Sequence, residues 1–126
     1  MIRVKTLTVQ LIDAQPDRIR ICRIDGESLV TVVVPREDLA EAKSLPNIPQ
    51  RGIYYLLDED HGNVSRVYAG QTTQGIARLD AHKAKKEFWN KAIMFLDDDQ
   101  NISKDALDVL EAKAIDYVRT HGSYET

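Results

Sequence analysis

Cysteine is almost absent from this chain: of 126 residues, only Cys22 carries a thiol. No disulfide can form within it, and a reducing, cytoplasmic setting is the expectation. With one thiol there is no zinc-type cysteine cluster, and no Walker-type phosphate loop is present either. No run approaches the ~20 apolar residues that a membrane-crossing helix needs. The start, MIRVKTLTVQ, lacks the apolar stretch of a secretory signal. Internal repeats and low-complexity segments are missing too. What remains is ordinary for a globular protein: 43% hydrophobic and 29% charged residues, in a length that suits a single core.

Net charge is also small, at −3. That sum argues against a polyanionic partner, but its distribution argues otherwise. Residues 74–91 hold Arg78, Lys83, Lys85, Lys86 and Lys91 against Asp80 and Glu87, a local excess of three positive charges. The acid lies elsewhere, in Asp58-Glu59-Asp60 and Asp97-Asp98-Asp99. The lysines read equally as a solvated helix face or as a strip that grips a few phosphates.

The first 49 residues read as a β-rich unit. Residues 4–12 alternate and carry β-formers, Ile19, Ile21 and Ile24 interleave with arginines, and Leu29 to Val34 is dense in β-branched side chains. Asp13 to Asp17 and Asp25-Gly26 read as the turns between them. Pro35 opens a short helix, 36–43. A second part begins near Arg51. Gly52 to Leu57 and Val64 to Gly70 form a hairpin around the turn residues 59–63. If Asp58 pairs with Val64, Tyr54 stands directly opposite Tyr68, on the same sheet face. A slip by one residue would separate the two rings. Thr72 or Thr73 caps a helix over 74–86, on which Arg78 and His82 share a face. Residues 91–96 suit a well-covered strand. A last helix over 104–119, capped by Ser103, carries the apolar stripe Leu107, Leu110, Ala114, Ile115 and Val118.

Glu111 falls inside that stripe. A carboxylate there is costly unless paired with an arginine, bonded to backbone, or bound to a metal. Tyr54 and Tyr68 alone are good strand residues that bury a ring. Arg78 alone could form an ion pair with Asp80, and His82 could be a packed histidine. Their joint order carries more than each alone: tyrosine, tyrosine, arginine, histidine, glutamate, on two strands and two helices. The chain resembles the GIY-YIG nuclease family over roughly residues 51–118. Gly52-Ile53-Tyr54 matches the first motif, and Tyr68-Ala69-Gly70 the second, with alanine where isoleucine or valine is usual. Arg78 lies ten residues past Tyr68, His82 a helical turn further, and Glu111 stands in Leu110-Glu111-Ala112. The run Glu87 to Ala92 (EFWNKA) resembles a bacterial subgroup with an N-terminal β-rich extension.

The resemblance implies an α/β fold: a small three-stranded, mainly antiparallel sheet (53–57, 65–69, 92–96) flanked by the 74–86 and 104–119 helices. Residues 1–49 would be the extension and 50–126 the nuclease-like domain. It implies hydrolysis of phosphodiester bonds in DNA with one divalent ion, Mg²⁺ or Mn²⁺, held by Glu111. One of the two tyrosines, Tyr68 for preference, would help activate water and the other would position phosphate. Arg78 would stabilise the transition state, His82 would assist, and Lys83, Lys85, Lys86 and Lys91 would contact nucleic acid. The alternative is an inactive nucleic-acid-binding or protein-interaction module on the same fold. One departure bears on this: many members carry an asparagine past the glutamate helix, and none follows Glu111 here. Either the natural chain continues beyond Thr126 and supplies it, or the site lacks that support and is slow or inactive.

Overall fold

The computed structural model describes residues 4–97 and, by itself, Ala112. Strands β1 (Leu7–Leu11), β2 (Arg20–Ile24), β3 (Leu29–Pro35), β4 (Arg51–Asp60), β5 (Asn63–Thr72) and β6 (Lys91–Asp97) account for most of the regular structure. They form one sheet in the order β1-β2-β3-β6-β4-β5. Every pairing in it is antiparallel. Between β3 and β4 lie a 3-10 turn (Arg36–Asp38) and the short helix α1 (Leu39–Ala42). Between β5 and β6 lie a second 3-10 turn (Gly75–Arg78) and helix α2 (Leu79–Lys85). Among the described residues no helix is long and apolar enough to cross a membrane.

This corrects the expected α/β fold, a three-stranded sheet flanked by helices. The expected strands exist, but β6 pairs with β4 on one side and with β3 on the other. The N-terminal strands therefore continue the same sheet instead of being added beside it. The described residues are mostly β, and their two helices span only four and seven residues. The physical reason lies in matched alternation. Val30, Val32 and Val34 of β3 face the core, and their partners across the ladder are Leu96, Met94 and Ala92 of β6. All six are at most 1% exposed. Burying both rows requires β3 beside β6, and a period-two pattern carries no signal for which distant strand satisfies it. The expected helix over 104–119 lies outside the described residues, within which Ala112 is helical and exposed.

A smaller cluster around Leu57 and Val67 lies apart from the main core, which fills one face. Ile19, Ile21, Leu39, Ala42, Leu56, Ile76, Leu79 and Trp89 join the β3 and β6 rows there. α1, α2 and the 3-10 turn before α2 therefore cover the same side of the sheet. The expected 36–43 helix begins as a 3-10 turn because Pro35 is still the last residue of β3, with its backbone extended. The β4–β5 loop is His61-Gly62, both at positive φ (49° and 82°), as a two-residue hairpin turn requires.

Gly52 shows how closely β4 and β6 approach. A Cβ added there would overlap the carbonyl oxygen of Phe95, which is backbone and has no freedom to swing away. Gly26, at a positive φ of 80° in the β2–β3 turn, faces open space. Gly52→Ala should therefore lower unfolding free energy by about 1–3 kcal/mol, as overpacking does. Gly26→Ala should cost only ~1 kcal/mol, through its backbone conformation. Urea unfolding of the two variants checks this, and an equal or reversed order would contradict the packing described.

Candidate active site

Strand alternation places Gly52, Tyr54 and Leu56 on one face of β4, and Tyr68, Gly70 and Thr72 on the same face of β5. The expected register is corrected here. Tyr54 pairs with Gly70, and Tyr68 pairs with Leu56. Two features each shift it by one residue: the tight turn pairs Asp60 with Asn63, and a bulge at Asp58/Glu59 pairs Asp58 with Arg66 and Glu59 with Val64, leaving Ser65 over. The Ser65 hydroxyl donates to the Asp58 carboxylate at 3.0 Å. The offset from the expected pairing is two residues, so both tyrosines keep the core face. Ala69, the middle residue of the second motif, lies on the opposite face and pairs with Tyr55.

The observed register gives the motif glycine a reason. A Cβ on Gly70 would lie 2.6 Å from both Cζ and the hydroxyl oxygen of Tyr54. The Tyr54 ring lies across Gly70, in space that any side chain would fill. Its hydroxyl then meets His82 Nε2 of α2 at 2.5 Å. The two rings are 5.4 Å apart at 61°, and the Tyr68 ring lies 5.1 Å from the same imidazole at 56°. Tyr54 and His82 are buried, and Tyr68 is half-buried.

His82 is held in place by its backbone as well. Its carbonyl accepts the Lys86 N–H at 2.8 Å and the Trp89 indole N–H at 3.4 Å. Burial pushes its pKa down to about 4, aided by the positive charges of Arg78, Lys86 and Lys85. The imidazole is therefore neutral at pH 7.

A cavity of about 380 Å³ opens beside this cluster, lined by Tyr54, Tyr68, Gln71, Thr72, Thr73, Gln74 and Arg78. His82 stands behind the tyrosines instead of lining it. Arg78 is exposed, and the alternative reading of an Arg78–Asp80 ion pair is not realised: Asp80 pairs with Lys43 at 2.9 Å. The loop that shapes the cavity is fixed by Thr72. Its buried hydroxyl accepts the Gln74 N–H at 2.9 Å and donates to the Gly75 carbonyl at 3.2 Å. Gly75, at φ 62°, donates its N–H to Gln50 at 2.8 Å. Gln71, Thr73 and Gln74 are lining residues that sequence reasoning left unassigned. The signal for them was a run of four hydrogen-bonding side chains directly after Tyr68-Ala69-Gly70.

The candidate lysines divide. Lys83 and Lys85 are exposed on α2, and Lys86 places its ammonium 4.6 Å from the Tyr68 ring centre. Lys91 is tied to Glu59 at 2.8 Å, which neutralises it locally. Glu111 lies outside the described residues, and the expected metal site with it. Among the described residues no three His, Cys, Asp or Glu side chains gather, and the cavity lining holds no carboxylate. Its hydroxyls, amides and guanidinium suit a phosphate. On their own they do not suit a divalent cation, which favours carboxylate oxygens. Compared with protein-family models, curated proteins and solved structures, the chain matches none.

The neutral His82 makes stability depend on pH. Between pH 6.5 and about 4 the unfolded chain binds a proton that folded His82 refuses, so stability falls as pH falls across that window. The contribution, roughly 3 kcal/mol, is complete above pH 6.5. His82→Gln, which cannot titrate, should lose markedly less stability than the parent between pH 7 and pH 4 in urea unfolding. Identical acid-side losses would contradict a buried, neutral imidazole.

Proposed function

We propose that this protein is a nuclease that hydrolyses phosphodiester bonds in DNA, working in a cytoplasmic setting. The observation that carries the reading is the convergence of Tyr54, Tyr68 and His82, from two strands and a helix, beside a cavity that Arg78 also lines. A cavity of this size accepts a phosphate with part of its nucleoside. The Arg78 fork matches two phosphate oxygens and opposes the charge that grows on them in the transition state. Gln71, Thr73 and Gln74 offer donors and acceptors to the rest of the bound group.

Tyr54 and His82 form a route for a proton. With the imidazole proton on Nδ1, Nε2 accepts from the Tyr54 hydroxyl. As Tyr54 hands over its proton, its oxygen takes one from an attacking water. A phenol alone is a poor base near neutral pH, and His82 supplies the acceptor it lacks. A bound phosphate would oppose the field of Arg78, Lys85 and Lys86, one of the causes that hold the His82 pKa low. Tyr68, more open to the cavity, would position phosphate or water. This exchanges the roles the sequence favours for the two tyrosines, because the acceptor stands behind Tyr54.

Glu111 would have to supply the carboxylate for Mg²⁺ or Mn²⁺, an ion that polarises the phosphate when bound. β6 ends at the same end of the sheet as the cavity. Leu96 pairs with Gly52, Gly52 pairs with Thr72, and Thr72 lines the cavity. Leu96, near the described end of β6, thus stands about two strand spacings, ~10 Å, from Thr72 in the cavity wall.

Arg78→Ala should lower metal-dependent nicking of plasmid DNA by about 10²–10³-fold. Glu111→Gln should remove it, and both variants should keep the parent's circular dichroism and urea midpoint. Variants that nick as fast as the parent would overturn the assignment. DNA binding by the parent with no cleavage across Mg²⁺, Mn²⁺, Ca²⁺ and Zn²⁺ would favour the binding-module alternative.

A further inference from the structure

We infer that Arg36, from the N-terminal part of the chain, is a positioning residue for the site, acting through His82. Arg36 opens the 3-10 turn after β3, outside the segment that carries the proposed catalytic groups, yet its guanidinium bonds to residues 83–89. Its guanidinium donates to the carbonyls of Lys86 at 2.7 Å, Lys83 at 2.8 Å and Trp89 at 3.2 Å. Its backbone N–H donates to the Asn90 carbonyl at 2.9 Å. The guanidinium plane also lies 4.6 Å from the centre of the Trp89 ring, whose indole N–H reaches the His82 carbonyl.

These contacts do what α2 cannot do for itself. A helix of seven residues leaves most of its C-terminal carbonyls without intrahelical partners. His82 sits one turn from that end, and its ring must hold a 2.5 Å contact to Tyr54. One planar cation satisfies the Lys83 and Lys86 carbonyls, presses Trp89 against the helix and completes the turn that follows. Trp89, 1% exposed, transmits this to the His82 backbone. Lysine has donors on a single nitrogen, not on a planar fork that spans these carbonyls, and would present no plane to stack. The N-terminal strands therefore do more than widen the sheet: through Arg36 they fix where the imidazole stands.

The kinetic part of the test rests on the nuclease reading, and the spectroscopic part does not. Ring-nitrogen NMR of His82 in the parent should show one fixed tautomer. In Arg36→Gln it should show exchange between the two tautomers, with the sheet's amide spectrum preserved. Arg36→Lys should fall between. In nicking assays Arg36→Gln should lower kcat roughly ten- to hundredfold with KM little changed. In a His82→Gln background it should cost nothing further. A fixed His82 tautomer in Arg36→Gln, or losses that multiply in the double variant, would overturn the inference. Tautomer exchange in Arg36→Gln, beside a parent protein that never cuts DNA, would uphold the positioning role and sink the nuclease reading instead.

Discussion

The hydrogen bond between Tyr54 and His82 is the contact on which the site's geometry depends. It is short, buried and made between groups from separate elements, so each must be held by something else. Tyr54 reaches it because Gly70 leaves its ring room, and because the tight turn and a bulge set Gly70 opposite it. His82 reaches it because its carbonyl is pinned by Lys86 and Trp89, and the turn after it by Arg36. In a buried setting, leaving either polar group unmatched would cost about 1–3 kcal/mol, so the pair also stabilises the fold. The contact is a structural tie and, in the proposed reaction, a proton route as well.

Around that pair the charges are mainly positive. Asp80 is occupied by Lys43, Glu59 by Lys91, and Asp38 and Glu41 by Arg18. The Lys91 pair is drawn away from the strip, while Arg78, Lys83, Lys85 and Lys86 face no ion-pair partner among the described residues. A protein of net negative charge thus presents a small positive field beside its cavity. Such a field adds to burial in keeping His82 neutral and would draw an anionic backbone toward the tyrosines.

Local features of this arrangement were legible in the chain, and distant pairings were not. The strands containing Tyr54 and Tyr68, the turn between them and the helical segment with His82 follow from alternation, turn residues and helical spacing. The shared face of the two tyrosines survives an error of two residues in register, because side chains alternate with period two. The bulge at Ser65 leaves no compositional trace. The β3–β6 ladder joins Leu29 to Asp97 across most of the described chain, and alternation alone does not select a partner. Arg36 read only as the start of a helix because its hydrogen bonds go to carbonyls some fifty residues away. In the stretch Gln71 to Gln74, only Thr72 or Thr73 read as having a role, that of helix cap. Thr72 does hold the Gln74 N–H, but the neighbouring side chains line the cavity.

What occupies that cavity decides whether the protein cuts DNA in the way proposed. A crystal structure of the protein with Mn²⁺ and a phosphorothioate dinucleotide, which resists cleavage, tests this most directly. The account places the phosphorus group between Arg78 and the two tyrosine hydroxyls, with Mn²⁺ bound to the carboxylate of Glu111. A diester bound elsewhere, or a Glu111 carboxylate turned away from an empty cavity, would contradict it.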